Sequence, residues 1–79
     1  MKIKICGITT LDDALTALDA GATMLGFNFY PPSPRYVERT ACAELVAALR
    51  SRGRAATLVG VFVNMPPDEV RRILDECSL

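Results

Sequence analysis

Two side chains in this 79-residue sequence have the type and placement to do chemistry: Cys6, in Lys4-Ile5-Cys6-Gly7, and Arg35, in Pro31-Pro32-Ser33-Pro34-Arg35. A cysteine that closes a strand and is followed by glycine and a helix start is a candidate for a lowered pKa and a reactive thiolate. The competing reading is a small buried hydrophobe, the usual role of a free cysteine. Arg35 ends a loop that three prolines stiffen, and its planar guanidinium suits a carboxylate or a phosphate. Its competing reading is a solvated loop cation.

Little else in the chain offers chemistry. Cys6, Cys42 and Cys77 are odd in number and lie 36 and 35 residues apart, which fits neither a disulfide framework nor a Cys-x-x-Cys metal site. There is no histidine, so a zinc site would have to be built from carboxylates, and no metal is expected. Asp12 and Asp13 open a helix and read as partners of its dipole rather than as acids. Nine basic residues against nine acidic ones give zero net charge, without the basic footprint of a nucleic-acid binder. No charge block suggests a membrane surface, no apolar run is long enough to span a bilayer, and the first residues hold no signal-peptide core. A cytoplasmic location is the default expectation. Disorder is excluded by a 51% hydrophobic composition.

Three strand-then-helix units must position Cys6 and Arg35. Lys2 to Cys6 alternates and is β-branched, which predicts a short first strand. Thr9 or Thr10 caps the helix that follows, with Leu11, Ala14, Leu15 and Leu18 on one face and Gly21 as its stop. Thr23 to Phe29 is a nearly continuous apolar run, the pattern of a parallel strand covered on both faces. After the proline loop, a helix from about Thr40 to Ser51 turns Cys42, Leu45, Val46 and Leu49 inward. Ala56 to Val63 is a third strand that reads as fully buried. Pro66 and Pro67 then open a helix with Val70, Ile73, Leu74 and Cys77 on its apolar stripe.

Alternating strands and helices predict an α/β fold with right-handed crossovers and a parallel sheet. Three strands alone would leave two bare edges, while about 26 residues per unit, taken eight times, falls at the lower end of the (β/α)8 barrel range. The expectation is that residues 1–79 are the first three βα units of a TIM (β/α)8 barrel, a partial barrel lacking the rest. The ends of its strands, where Cys6-Gly7, Phe29 to Arg35 and Asn64 lie, form the face on which such barrels place their sites.

The blocks Lys4-Ile5-Cys6-Gly7-Ile8-Thr9, Asp13-Ala14, Gly21-Ala22, Leu25-Gly26-Phe27, Ser33-Pro34-Arg35-Tyr36-Val37 and Val59-Gly60-Val61-Phe62-Val63-Asn64 occur in the order and spacing of a known family. Together they make nearly the whole chain resemble the opening of the phosphoribosylanthranilate isomerases of tryptophan biosynthesis. The resemblance implies an Amadori rearrangement of N-(5-phosphoribosyl)anthranilate, a small phosphosugar substrate, with no cofactor. A general acid opens the furanose ring, a general base takes the proton from the sugar's second carbon, and the enolamine relaxes to 1-(2-carboxyphenylamino)-1-deoxyribulose 5-phosphate. By the same resemblance Cys6 is the general base and Arg35 binds the anthranilate carboxylate. The family's general acid, an Asp from a later strand, and its phosphate loops match nothing in these 79 residues, so the chain alone is expected to be inactive.

Physical chemistry bears on both roles. A free thiol is only a few per cent ionised at neutral pH, so a basic Cys6 needs donors such as the amides that open the first helix, or works through that small fraction. Phe29 and Tyr36 could flank the aromatic ring, or else serve as core and loop anchor. A second class of function is a non-catalytic unit that self-associates or complements another fragment through exposed strand edges, Ala56 to Val63 being uncharged and β-rich. A third treats Pro31 to Arg35 as a polyproline ligand.

Overall fold

Parallel strands cannot be joined by a hairpin, so each strand of this sequence is followed by a helix that carries the chain back. The computed structural model, which describes all 79 residues, has the order β1 (Lys4–Ile5), α1 (Leu11–Asp19), β2 (Met24–Asn28), α2 (Arg39–Ser51), β3 (Thr57–Val61) and α3 (Pro67–Cys77). The sheet is parallel throughout, in the order β1-β2-β3. Ile5 pairs with Leu25, and Leu25 with Leu58; Lys4 pairs with Met24, and Met24 with Thr57. No helix is long and apolar enough to cross a membrane.

Side chains alternate across a strand, so the register sorts them onto two faces. Leu25, Leu58, Phe27 and Phe62 fall on the face that meets the helices. Leu25 and Phe27 are fully buried there with Ala14 of α1, Cys42, Val46 and Leu49 of α2, and Ile73 and Cys77 of α3. Each fully buried large side chain contributes about 1.5–3 kcal/mol. The opposite face carries Lys4, Met24, Asn28, Thr57, Val59 and Val61, none of which is buried.

This corrects the expectation that β2 and β3 are covered on both faces. Helices cover one face only, and every residue of β3 is half-buried or exposed. An apolar run records that a strand is covered in the assembled fold, not that the cover lies within the same 79 residues. The strands are also shorter than the apolar runs: β1 pairs with β2 at two positions and β2 with β3 at five. At the start of β1, Ile3 is held irregularly: its carbonyl accepts from the amides of Thr23 and Met24, at 2.9 and 3.1 Å.

The helices follow their sequence signals closely. Thr10, not Thr9, caps α1, its hydroxyl accepting from Asp13 N at 3.1 Å, with Asp12 and Asp13 in the first turn. Leu11, Leu15 and Leu18 are only half-buried, and Ala14 makes the close contact. The α2 stripe of Cys42, Leu45, Val46 and Leu49 is buried as expected. Arg39, at the head of α2, pairs with Glu69 and Glu76 of α3 at 3.2 and 3.6 Å, while Cys77 Sγ donates to the Arg39 carbonyl. Such half-exposed pairs add little energy, so the α2–α3 contact rests on buried apolar side chains, Cys42 against Cys77 among them.

Candidate active site

All three strands run the same way, so their carboxyl ends share one edge of the sheet, and Cys6, the loop after Asn28 and Asn64 all emerge there. Cys6 directly follows β1 and is exposed. Its sulfur lies against Gly26 of β2: a Cβ on Gly26 would stand 3.1 Å from Cys6 Sγ and 3.2 Å from Cys6 Cα. The absence of a side chain at Gly26 is therefore what gives the thiol its place on the open face. The Gly26 carbonyl also accepts from both Gly7 N and Ile8 N at 3.1 Å, pinning the end of β1 beside it.

Gly7 does a second job. Its φ of +80° is a left-handed conformation that favours glycine, and a Cβ there would stand 3.2 Å from Arg35 Cγ. The aliphatic stem of Arg35 thus rests on the residue next to Cys6. Sequence spacing of 29 residues is closed to direct contact between the two neighbourhoods, and both residues line one groove.

The loop that carries Arg35 is organised by Asn28, the last residue of β2. Asn28 Oδ1 accepts from Tyr30 N at 2.8 Å, and Asn28 Nδ2 donates to Ser33 Oγ at 3.3 Å. Ser33 Oγ in turn accepts from Arg35 N at 3.1 Å, and the Asn28 carbonyl takes Val37 N at 2.9 Å. Sequence reading missed Asn28. Its only signal was to be the one amide side chain in the apolar run Leu25-Gly26-Phe27-Asn28-Phe29.

The groove, about 320 Å3, is lined by Cys6, Gly7 and Arg35 together with Ile3, Ile5, Asp13 and Ala17. Ile3 and Ile5 are 39% and 40% exposed beside the unpaired edge of β1. Ile3, Ile5 and Ala17 make part of it a packing seam between β1 and α1, and Cys6, Gly7 and Arg35 line the same groove.

The other candidates separate cleanly. Phe29 is buried and stacks on Phe62, ring centres 5.3 Å apart, so it is a core residue and not a wall for a ligand. Tyr36 is 39% exposed and bridges to Asn28 in the loop. Asn64 emerges from β3 with a φ of 51°, a conformation asparagine tolerates. Asp12 and Asp13 are at the start of α1, where the Asp13 amide goes to Thr10 rather than to Cys6, and Asp13 also lines the groove. Cys42 and Cys77 are buried core thiols. Burial pushes Cys42 up to about 12, helped by the neighbouring Cys77, and burial raises Cys77 as well. Only Cys6 of the three cysteines is exposed.

The model of the N-(5'-phosphoribosyl)anthranilate isomerase family matches residues 3–79. An N-(5'-phosphoribosyl)anthranilate isomerase of Myxococcus xanthus is 44% identical over 79 residues, which is all of this chain and 36% of the relative. The crystal structure of phosphoribosyl anthranilate isomerase from Thermus thermophilus superposes with a TM-score of 0.89 at 44% identity, over all of this chain and 38% of that one. A phosphoribosyl anthranilate isomerase in complex with reduced 1-(o-carboxyphenylamino)-1-deoxyribulose 5-phosphate gives 0.91 at 37% identity, over all of this chain and 39% of that one. The chain therefore spans little more than a third of the length of the relatives it matches.

Proposed function

The chain belongs to the N-(5'-phosphoribosyl)anthranilate isomerase family, and from that premise we propose that residues 1–79 supply three βα units, the general base and the carboxylate anchor of an isomerase barrel. The observation that carries this reading is the pairing at the sheet edge: Cys6 lies over Gly26, and the Arg35 stem lies on Gly7. The substrate is N-(5'-phosphoribosyl)anthranilate. Arg35 holds the anthranilate carboxylate through its planar fork, which sets the sugar's second carbon near Cys6. An acid protonates the ring oxygen as its bond to the sugar's first carbon breaks, and Cys6, as thiolate, then takes the proton from the second carbon. The resulting enolamine relaxes to the ketose. The acid and the phosphate grip come, on this reading, from units beyond these three, so the 79 residues alone do not turn over.

The setting is the cytoplasm, since a phosphorylated substrate carries charge that an apolar bilayer excludes. Zero net charge supports the absence of a nucleic-acid partner.

The test is a chimera in which these 79 residues replace the matching segment of the Myxococcus xanthus relative. Removing a general base costs roughly 100- to 10,000-fold, so Cys6→Ser is expected to lose that much kcat. Removing a charged hydrogen-bond partner costs about 1.5–3 kcal/mol, so Arg35→Ala is expected to raise KM roughly 10- to 100-fold and leave kcat largely intact. Undiminished kcat in Cys6→Ser overturns the base role. An unchanged KM in Arg35→Ala overturns the anchor.

A further inference from the structure

A guanidinium on an exposed loop selects a carboxylate well only if the loop is held before the ligand arrives, because ordering it on binding would subtract from affinity. In this loop the prolines limit the chain locally but do not fix where Arg35 stands relative to the sheet. Besides the backbone bond from Val37 N to the Asn28 carbonyl, that link is a chain of three side-chain contacts from β2. Asn28 Nδ2 donates to Ser33 Oγ, Ser33 Oγ accepts from Arg35 N, and Asn28 Oδ1 accepts from Tyr30 N at the loop's other end. Asn28 sits two residues beyond Gly26 on the same strand and the same face, roughly 6.6 Å further along. Gly26 seats Cys6, and Asn28 anchors the loop that presents Arg35. One strand thus sets the spacing between the two groups, and Gly7 completes the cradle from the other side by accepting the Arg35 stem where a Cβ would crowd it.

We propose that Asn28, acting through Ser33, is a positioning residue that fixes Arg35 for the substrate carboxylate, at a distance from Cys6 set by strand β2. The proposal rests on the reading of Arg35 as the carboxylate anchor. Asn28 touches no reacting atom: its side chain is engaged by the loop, and it acts on binding through the backbone amide of Arg35. Ser33 is required because its one oxygen both accepts the Asn28 amide proton and takes the Arg35 N–H.

The experiment uses the same full-length chimera, with steady-state kinetics and thermal melting of Asn28→Ala, Ser33→Ala, Ser33→Thr, Arg35→Ala and Asn28→Ala/Arg35→Ala. The expected result is a KM raised about tenfold in Asn28→Ala and Ser33→Ala with kcat within threefold of the parent, and near-parental KM in Ser33→Thr, which keeps the hydroxyl. The double variant is expected to have no higher KM than Arg35→Ala, because Asn28 has nothing left to position once the guanidinium is gone. If KM rises in Arg35→Ala but not in Asn28→Ala, or if the two effects multiply, the positioning role is overturned while the anchor reading stands. An unchanged KM in Arg35→Ala overturns both. Should Asn28→Ala melt too low to assay, Ser33→Ala and Ser33→Thr decide: equal KM values in these two overturn the proposal.

Discussion

At the scale of single residues, the three cysteines show how environment divides one side-chain type. Cys6 is exposed over Gly26, whereas Cys42 and Cys77 are sealed between α2 and α3. Burial lifts the Cys42 thiol from 9.0 to about 12 and also raises Cys77. A group whose pKa is higher folded than unfolded supports folding fully below the unfolded value, and that support fades as pH climbs towards the folded value. Urea-unfolding free energy of the full-length chimera is therefore expected to fall more steeply between pH 8.5 and 10.5 than that of its Cys42→Ala/Cys77→Ala variant, even though the variant is less stable at pH 8. Parallel curves would contradict the burial of these thiols. The placement of Cys6 and Arg35 on one side of the sheet was legible in the sequence because both follow strand-like runs, and strand ends in a βα fold lie together. The place of Asn28 in the loop was not, since its contacts with Ser33 and Tyr30 exist only once the proline loop has turned back.

At the scale of elements, the helices were read more accurately than the strands, for a physical reason. A helix closes its own hydrogen bonds and announces its start, as Thr10 and the Pro66-Pro67 pair do here. A strand ends where its neighbours end, so the apolar runs Thr23 to Phe29 and Ala56 to Val63 overstate β2 and β3. Beyond β3, the Phe62 ring folds back over Gly60 to stack on Phe29 at 5.3 Å and an interplanar angle of 14°. A Cβ on Gly60 would lie 2.7 Å from a Phe62 ring carbon. Gly60→Ala is therefore expected to push the ring off Phe29 and cost about 1–3 kcal/mol, the usual range for overpacking. In a Phe62→Ala background the same substitution should cost much less, because the obstructing ring is gone. Denaturant midpoints of the four chimera variants measure the coupling, and an equal cost in both backgrounds would sink this account.

At the scale of the whole molecule, the 79 residues make one layer of helices on one face of a sheet and leave the other face and both edges unpartnered. Phe27 and Leu25 are sealed under the helices, but Val59 and Val61 of the opposite face are only half-covered, and Ile3, Ile5 and Val63 are 39%, 40% and 42% exposed. In the relatives, which are nearly three times as long, further chain is present. Placed alone in solution, this chain keeps the half-covered Met24, Val59 and Val61 and two rows of unpaired strand hydrogen-bonding groups in water. Burial is favourable in proportion to apolar area, and open parallel edges are templates for pairing, so both features drive the chain towards copies of itself. The isolated 79-residue chain is therefore expected to elute as concentration-dependent dimers or larger species in size exclusion with light scattering at tens of micromolar. Lysine at Val59 and Val61 should shift it towards smaller species by charging the open face, with little effect on the helix-covered core. A monodisperse monomer with a cooperative melt would overturn the expectation, and would mean that the helix-covered core alone holds these three units together.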